Sequence, residues 1–148
     1  MKLRLTKEFT FEMAHALPAY EGKCHNIHGH SYHFYVTVEG APLVQQGAPT
    51  DGMVLDFHAL KEIVTAAVVE PFDHTIVLPN PDAPAATLPT QNTLGGYAAK
   101  LLYIPFQPTT ENLLMHFADL LADKLPQGTR LHSLKLFETE TSCAELIL

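Results

Sequence analysis

The segment Cys24-His25-Asn26-Ile27-His28-Gly29-His30 gathers side chains that bind metals and move protons. Histidines two residues apart on a strand share one face, so His28 and His30 can grip a single ion. Gly29 between them has no side chain to crowd the pair. His15, at the end of an alternating apolar run, can supply a third imidazole. Three neutral histidines with no further protein ligand describe a catalytic zinc centre, which keeps one position open for water or substrate. Cys24 is then a thiol beside the metal, where a neighbouring cation favours the reactive thiolate. The plainer alternative is that nine histidines in 148 residues must sometimes fall close together, and that Cys24 is a small buried apolar residue. A turn rich in His and Gly is an unusual place for the latter.

Asp73-His74 sets a carboxylate beside an imidazole, which can fix the ring's tautomer or stabilise its charged form. Its alternative reading is a polar pair at a helix end. Glu138 closes the face of Leu134 and Leu136 and points where a ligand or a second subunit could sit, although most glutamates at strand ends are merely solvated. Cys143 is expected to pack within the last strand. His25, His58, His116 and His132 read as ordinary turn, helix or strand residues. His33, opposite in parity to His28 and His30, reads as a surface or interface residue.

These groups need elements to position them. Leu3, Leu5, Phe9, Phe11 and Met13 alternate as in a half-buried strand, and His15 continues their side. A second strand over about 31–39 puts Tyr32, Phe34, Val36 and Val38 on the parity of His28 and His30. Asp56 caps a helix over 57–70, with Phe57, Leu60, Val64, Ala67 and Val68 facing the sheet and Pro71 stopping it. Residues 79–108, rich in Pro and holding Gly95-Gly96, read mostly as a loop. Thr109 or Thr110 caps a second helix reaching about Leu125, with Leu113, Leu114, Phe117, Leu120 and Leu121 buried. Strands at 131–138 and 142–148 finish the chain. Two helices on one face of a four-stranded antiparallel sheet make one α+β domain over residues 1–148.

Composition bounds the function. The hydrophobic fraction of 47% and charged fraction of 17% are those of a soluble globular protein. A formal charge of −7 with scattered lysines and arginines argues against a general nucleic-acid binder, yet leaves room for one phosphorylated small molecule. Residues 1–14 hold no signal-peptide core, no segment approaches a membrane span, and two cysteines make no disulfide scaffold. The expected setting is a reducing cytoplasm, with Cys24 kept as a thiol.

Taken together, the chain resembles the 6-pyruvoyl-tetrahydropterin synthase superfamily. The resemblance rests on Phe11-Glu12-Met13-Ala14-His15, the Cys24–His30 segment with Ser31-Tyr32, Gly52-Met53-Val54-Leu55-Asp56-Phe57, Phe72-Asp73-His74, Pro108-Thr109-Thr110-Glu111-Asn112 and Phe137-Glu138-Thr139. They occur in family order across nearly the whole chain. The three residues between Cys24 and His28-Gly29-His30 look like the bacterial branch that forms 6-carboxy-tetrahydropterin for queuosine and 7-deazapurine biosynthesis.

The resemblance implies that His15, His28 and His30 bind Zn2+, that Cys24 is the catalytic thiol, and that Asp73 and His74 complete the proton-transfer unit. It implies that Glu138 anchors the pterin ring, with Thr109 and Thr110 assisting. The implied fold is the tunnelling fold, whose subunits extend one another's sheets into a barrel. Two trimeric rings then stack into a homohexamer with active sites between subunits. The implied reaction is a zinc-dependent lyase step from 7,8-dihydroneopterin triphosphate to 6-carboxy-tetrahydropterin, releasing acetaldehyde and triphosphate. Two alternatives stay open: elimination of triphosphate to the 6-pyruvoyl product without carbon–carbon cleavage, and a non-catalytic zinc- or pterin-binding oligomer.

Overall fold

A computed structural model describes residues 1–83 and 94–148. Strands β1 (Leu3–His15) and β2 (His28–Gly40) form a long antiparallel pair. In its register His15 lies opposite His28, Met13 opposite His30, and Phe11 opposite Tyr32. The alternation read from the sequence holds: Phe9, Phe11 and Met13 with Tyr32, Phe34, Val36 and Val38 are all buried in one core. Strand β2 begins earlier than expected and therefore carries both of its histidines itself. On its other side it pairs with β5 (Thr129–Thr139), which in turn pairs with β6 (Ser142–Ile147).

Among the described residues the sheet has six strands, not four, and is not wholly antiparallel. Its order is β4-β3-β1-β2-β5-β6, with β3 (Thr75–Pro79) parallel to β1 and β4 (Leu101–Ile104) parallel to β3. Short parallel strands show as brief apolar runs without alternation, and for that reason these two escape a search for period-two patterning. Strand β4 and a 3-10 turn at Gly95–Tyr97 lie inside the span expected to be loop, while residues 84–93 of that span lie outside the described residues.

Both helical regions cover one face of the sheet. Asp56 caps α1 (Phe57–Val64), its carboxylate accepting from the His58 amide. The helix then widens into a π turn at Thr65–Val69 before ending as α2 (Glu70–Phe72). Pro71 thus sits inside the last turn and does not stop the helix. A widened turn relieves the clash between a proline ring and the carbonyl four residues earlier. Leu60, Val64, Val68 and Phe72 are buried, whereas Phe57, expected on the same face, is half exposed. Thr109 caps α3 (Thr110–Leu121), which is shorter than expected and buries Leu113, Leu114, Phe117 and Leu121. Cys143, expected to pack, is exposed on β6. Among the described residues no helix is long and apolar enough to cross a membrane.

Candidate metal centre and proton-transfer residues

At one end of the β1–β2 pair, His15, His28, His30 and Glu138 bring one ligand atom each to within 4.8 Å of one another. His15 is fully buried and the other three partly so. The rings of His15, His28 and His30 pack at centroid distances of 4.7 to 5.2 Å. The strand register explains the convergence, since facing residues of neighbouring strands share a side of the sheet. Glu138 arrives from β5 at an irregularity between Phe137 and Thr139. Such a bulge re-aims a side chain.

Backbone carbonyls fix two of the rings. His15 Nδ1 lies 2.8 Å from the Pro108 carbonyl, and His28 Nδ1 lies 2.7 Å from the Asn26 carbonyl. A carbonyl only accepts, so each Nδ1 must carry the proton and donate it. In the neutral rings both Nε2 atoms then present lone pairs to the centre, as imidazoles do when a partner on the far nitrogen orients them toward a metal. Among the described residues no hydrogen-bond partner meets Nε2 of His15, His28 or His30. Glu138 Oε1 stands 3.2 Å from His15 Nε2 and 3.1 Å from His30 Nε2, out of line for hydrogen bonding.

Three ring nitrogens and a carboxylate facing one another need a cation between them, either protons on the rings or a metal ion. A tetrahedral ion with bonds of about 2.0–2.2 Å sets its donors roughly 3.4 Å apart. The present spread therefore needs only side-chain adjustment. Three imidazoles and a carboxylate fit zinc chemistry in donor type. Burial is the largest influence on His30 and pushes its pKa down; Glu138 opposes this, and His15 and His28 add to it. A neutral ring, the form that binds metal, is favoured.

Glu138 is held ionised. Its pKa is lowered to about 2, chiefly by the His15 ring nitrogen, with Thr110 and His30 acting the same way against burial. The Thr110 hydroxyl donates to Glu138 Oε2 at 2.9 Å. Thr109 serves as the cap of α3, its hydroxyl accepting from the Asn112 amide. Sequence reasoning put Glu138 at a ring-binding position and missed its approach to the histidines. The strand parity it shares with Leu134 and Leu136 was the available signal.

Cys24 sits half-buried in a 3-10 turn, Lys23–His25, that is tied to the end of β1 by the Leu17 amide donating to the Cys24 carbonyl at 2.9 Å. Against the histidines lies a residue that sequence reasoning treated only as core. Tyr32 is fully buried, stacks on Phe11, and meets the edges of His15 and His30, yet its hydroxyl has no hydrogen-bond partner among the described residues. Burial, followed by the charges of Glu138 and Cys24, pushes its pKa far up. An unpartnered buried hydroxyl costs about 1–3 kcal/mol. Polar atoms left open like this mark a place built for a ligand.

Asp73 and His74 form a close pair, Asp73 Oδ2 to His74 Nδ1 at 2.9 Å. They lie at the entrance to β3, and His74 lines a cavity of about 350 Å³ together with Glu12, Ala14, Gly29, His30 and Ser31. His30 borders both this cavity and the histidine group. No hydrogen bond, ion pair or ring contact joins Asp73-His74 to the histidine group or to Cys24 among the described residues.

Comparison with known proteins adds a second kind of finding. Residues 4–147 match the family described as 6-pyruvoyl tetrahydropterin synthase. The chain is 34% identical over 142 residues to the 6-carboxy-5,6,7,8-tetrahydropterin synthase of Haemophilus influenzae, covering 96% of each chain. It is 32% identical over 123 residues to the 6-pyruvoyl tetrahydrobiopterin synthase of Pongo abelii, covering 82% of this chain and 68% of that one. Among solved structures, an uncharacterized protein from Wolinella succinogenes superposes with a TM-score of 0.74 at 21% identity, covering 99% of this chain and 98% of that one. The 6-pyruvoyl tetrahydropterin synthase of Caenorhabditis elegans superposes with a TM-score of 0.69 at 20% identity, covering 100% and 96%.

Proposed function

The chain belongs to the 6-pyruvoyl tetrahydropterin synthase family and has its tunnelling fold, and on that footing we propose that it is a zinc-dependent carbon–carbon lyase. Its substrate is 7,8-dihydroneopterin triphosphate, and its products are 6-carboxy-5,6,7,8-tetrahydropterin, acetaldehyde and triphosphate, with one water consumed. The observation that carries this reading is that His15, His28 and His30 turn their Nε2 atoms toward one point without a hydrogen-bond partner among the described residues. The choice of product is supported by the spacing of Cys24 from His28-Gly29-His30 and by the name of the Haemophilus relative.

In this reading His15, His28 and His30 hold the ion, and the Pro108 and Asn26 carbonyls keep two of their rings aimed at it. A zinc ion so held polarises substrate hydroxyls and eases loss of the adjacent protons. Cys24, as thiolate, takes a proton from the side chain of the pterin. Asp73 and His74 move protons as one unit, with the carboxylate orienting the ring. Their lack of any contact with Cys24 in the same chain fits a site completed by a neighbouring subunit of a homohexamer. Glu138, its Oε2 held by Thr110, offers a carboxylate to the paired N–H donors of the pterin ring.

Product analysis after turnover with zinc-loaded protein tests the reading. Acetaldehyde and a carboxylated pterin are expected in equal amounts. A pyruvoyl product without acetaldehyde would move the assignment to triphosphate elimination, the activity in the Pongo relative's name. Absence of turnover with retained pterin binding would leave a binding protein. His74→Ala is expected to slow turnover by about 10²–10⁴-fold, the usual contribution of a positioned proton-transfer group.

A further inference from the structure

Asp73 and His74 occupy one of the most constrained turns of the molecule. The Asp73 amide donates to the Val69 carbonyl at 2.7 Å, and the His74 amide donates to the Glu12 carbonyl at 2.6 Å. The Glu12 amide donates back to Asp73 Oδ1 at 2.9 Å. His74 has φ of 55°, and among the described residues it alone is positive without being glycine. A side chain at such a φ is unfavourable and persists only where its surroundings enforce it.

One enforcing group comes from the Pro-rich segment. Lys100, on the bend that enters β4, reaches back so that its ammonium donates to the Glu70 carbonyl and, at 2.7 Å, to the Asp73 carbonyl. The Lys100 carbonyl accepts from the Ile76 amide at 3.0 Å, fixing the base of the side chain next to its target. Donation to Glu70 satisfies a carbonyl at a helix end, an ordinary capping role. Donation to Asp73 is different. That carbonyl belongs to the peptide between Asp73 and His74, and the torsions on its two sides set the direction of the imidazole relative to the carboxylate.

We propose that Lys100 is a positioning residue for the Asp73-His74 pair, clamping the peptide between them so that carboxylate and imidazole keep one relative geometry. The inference rests on the catalytic reading of that pair given above. It gives the segment before β4 a role: the strand added at the sheet edge delivers a cation to the acid–base unit. The same cation acts through space. Burial is the largest influence on Asp73 and raises its pKa, but the Glu12 amide, His74 and Lys100 together bring it below the ordinary value. Of the other charged side chains nearby, Glu12 is engaged by the Ser31 hydroxyl at 2.8 Å, and Glu70 opens α2 behind the turn.

Lys100→Met and Lys100→Arg in the full-length, zinc-loaded protein test the proposal. Lys100→Met is expected to lower kcat about 10- to 100-fold with KM within about twofold, and to move the acid limb of the pH–rate profile to higher pH. Lys100→Arg is expected to recover most of kcat and the original profile. In the same variants, amide exchange at Asp73 and His74 should quicken in Lys100→Met alone. Wild-type kcat and profile in Lys100→Met, or loss of kcat that Lys100→Arg does not recover, overturns the assignment. If instead Asp73→Asn and His74→Ala keep full turnover, the catalytic reading of the pair fails by itself. The clamp is then judged by exchange: faster in Lys100→Met supports it, unchanged overturns it.

Discussion

The two ends of β2 each gather charge around one glutamate, and they do it to opposite effect. At the His28 end, Glu138 faces three imidazoles whose Nε2 atoms have no hydrogen-bond partner. At the Gly40 end, Glu39 is buried under cations that close around it: Lys2 at 3.2 Å, Arg4 at 3.4 Å and Arg130 at 2.8 Å. Both of its oxygens accept charge-assisted hydrogen bonds. His132 Nδ1, 4.0 Å from Glu39, is the single unpartnered buried atom there among the described residues. One carboxylate completes its own surroundings and the other leaves them incomplete. Charge clustering alone does not separate a site from a structural network; the hydrogen-bond balance does.

The largest effect should come from breaking the open end at its centre. His28→Ala is expected to drop metal content from one ion per subunit to near zero, by elemental analysis, and to abolish turnover while circular dichroism stays native. Full metal retention in that variant would rule out the ligand set. Next in size is Cys24→Ala, which should keep the metal and lose about 10²–10⁴-fold in rate; metal lost with the thiol would make Cys24 a ligand and the site a closed one.

Glu138→Gln sharpens the comparison further. Swapping one acceptor oxygen for a donor should weaken pterin binding by roughly tenfold to a hundredfold or more, since a charge-assisted hydrogen bond contributes about 1.5–3 kcal/mol. Titration calorimetry with a non-reacting pterin measures it. Metal content is expected to hold, and a loss would show that Glu138 is the fourth ligand.

The smallest effect belongs to the closed end. Glu39→Gln leaves Lys2, Arg4 and Arg130 facing one another and should lower Tm at neutral pH by several degrees without touching kcat. Arg130 first, then Lys2 and more weakly Arg4, bring the Glu39 pKa from its ordinary 4.5 down to about 2, with burial opposing. A depressed carboxylate pKa gives stability that is present above the unfolded value and is lost as pH falls through the folded one. The gap between wild type and Glu39→Gln should therefore shrink from pH 4.5 to about 2. A gap constant across that window would deny Glu39 its ion pairs.

Much of this was legible in the residue string because β strands keep a strict period of two. Parity alone put His15, His28 and His30 on the side of Phe11 and Tyr32, and put Glu138 at the end of the face of Leu134 and Leu136; that this face is the histidine side follows from the pairing of Leu136 with Phe34. The period failed where strands are short and parallel: β3 and β4 have too few residues to alternate, and Pro and Gly around them read as loop. Ring orientation by Pro108 and Asn26 was beyond reach, because it depends on backbone carbonyls that every residue possesses. So was the π turn, since the spacing of Leu60, Val64 and Val68 suits an ordinary helix as well.

The unequal lengths of the strands fix an order of failure. His15 and His30 ride on β1 and β2, each of 13 residues and flanked by neighbours on both sides, whereas the Asp73-His74 pair hangs on β3 and β4, of 5 and 4 residues, at one margin of the sheet. Marginal pieces open locally at a lower free energy than the centre. Warming should fray that margin first, so under the proposed function turnover would stop while the three histidines could still hold their ion. On that proposal inactivation and demetallation would be two separate events, and metal content alone would not certify an active sample.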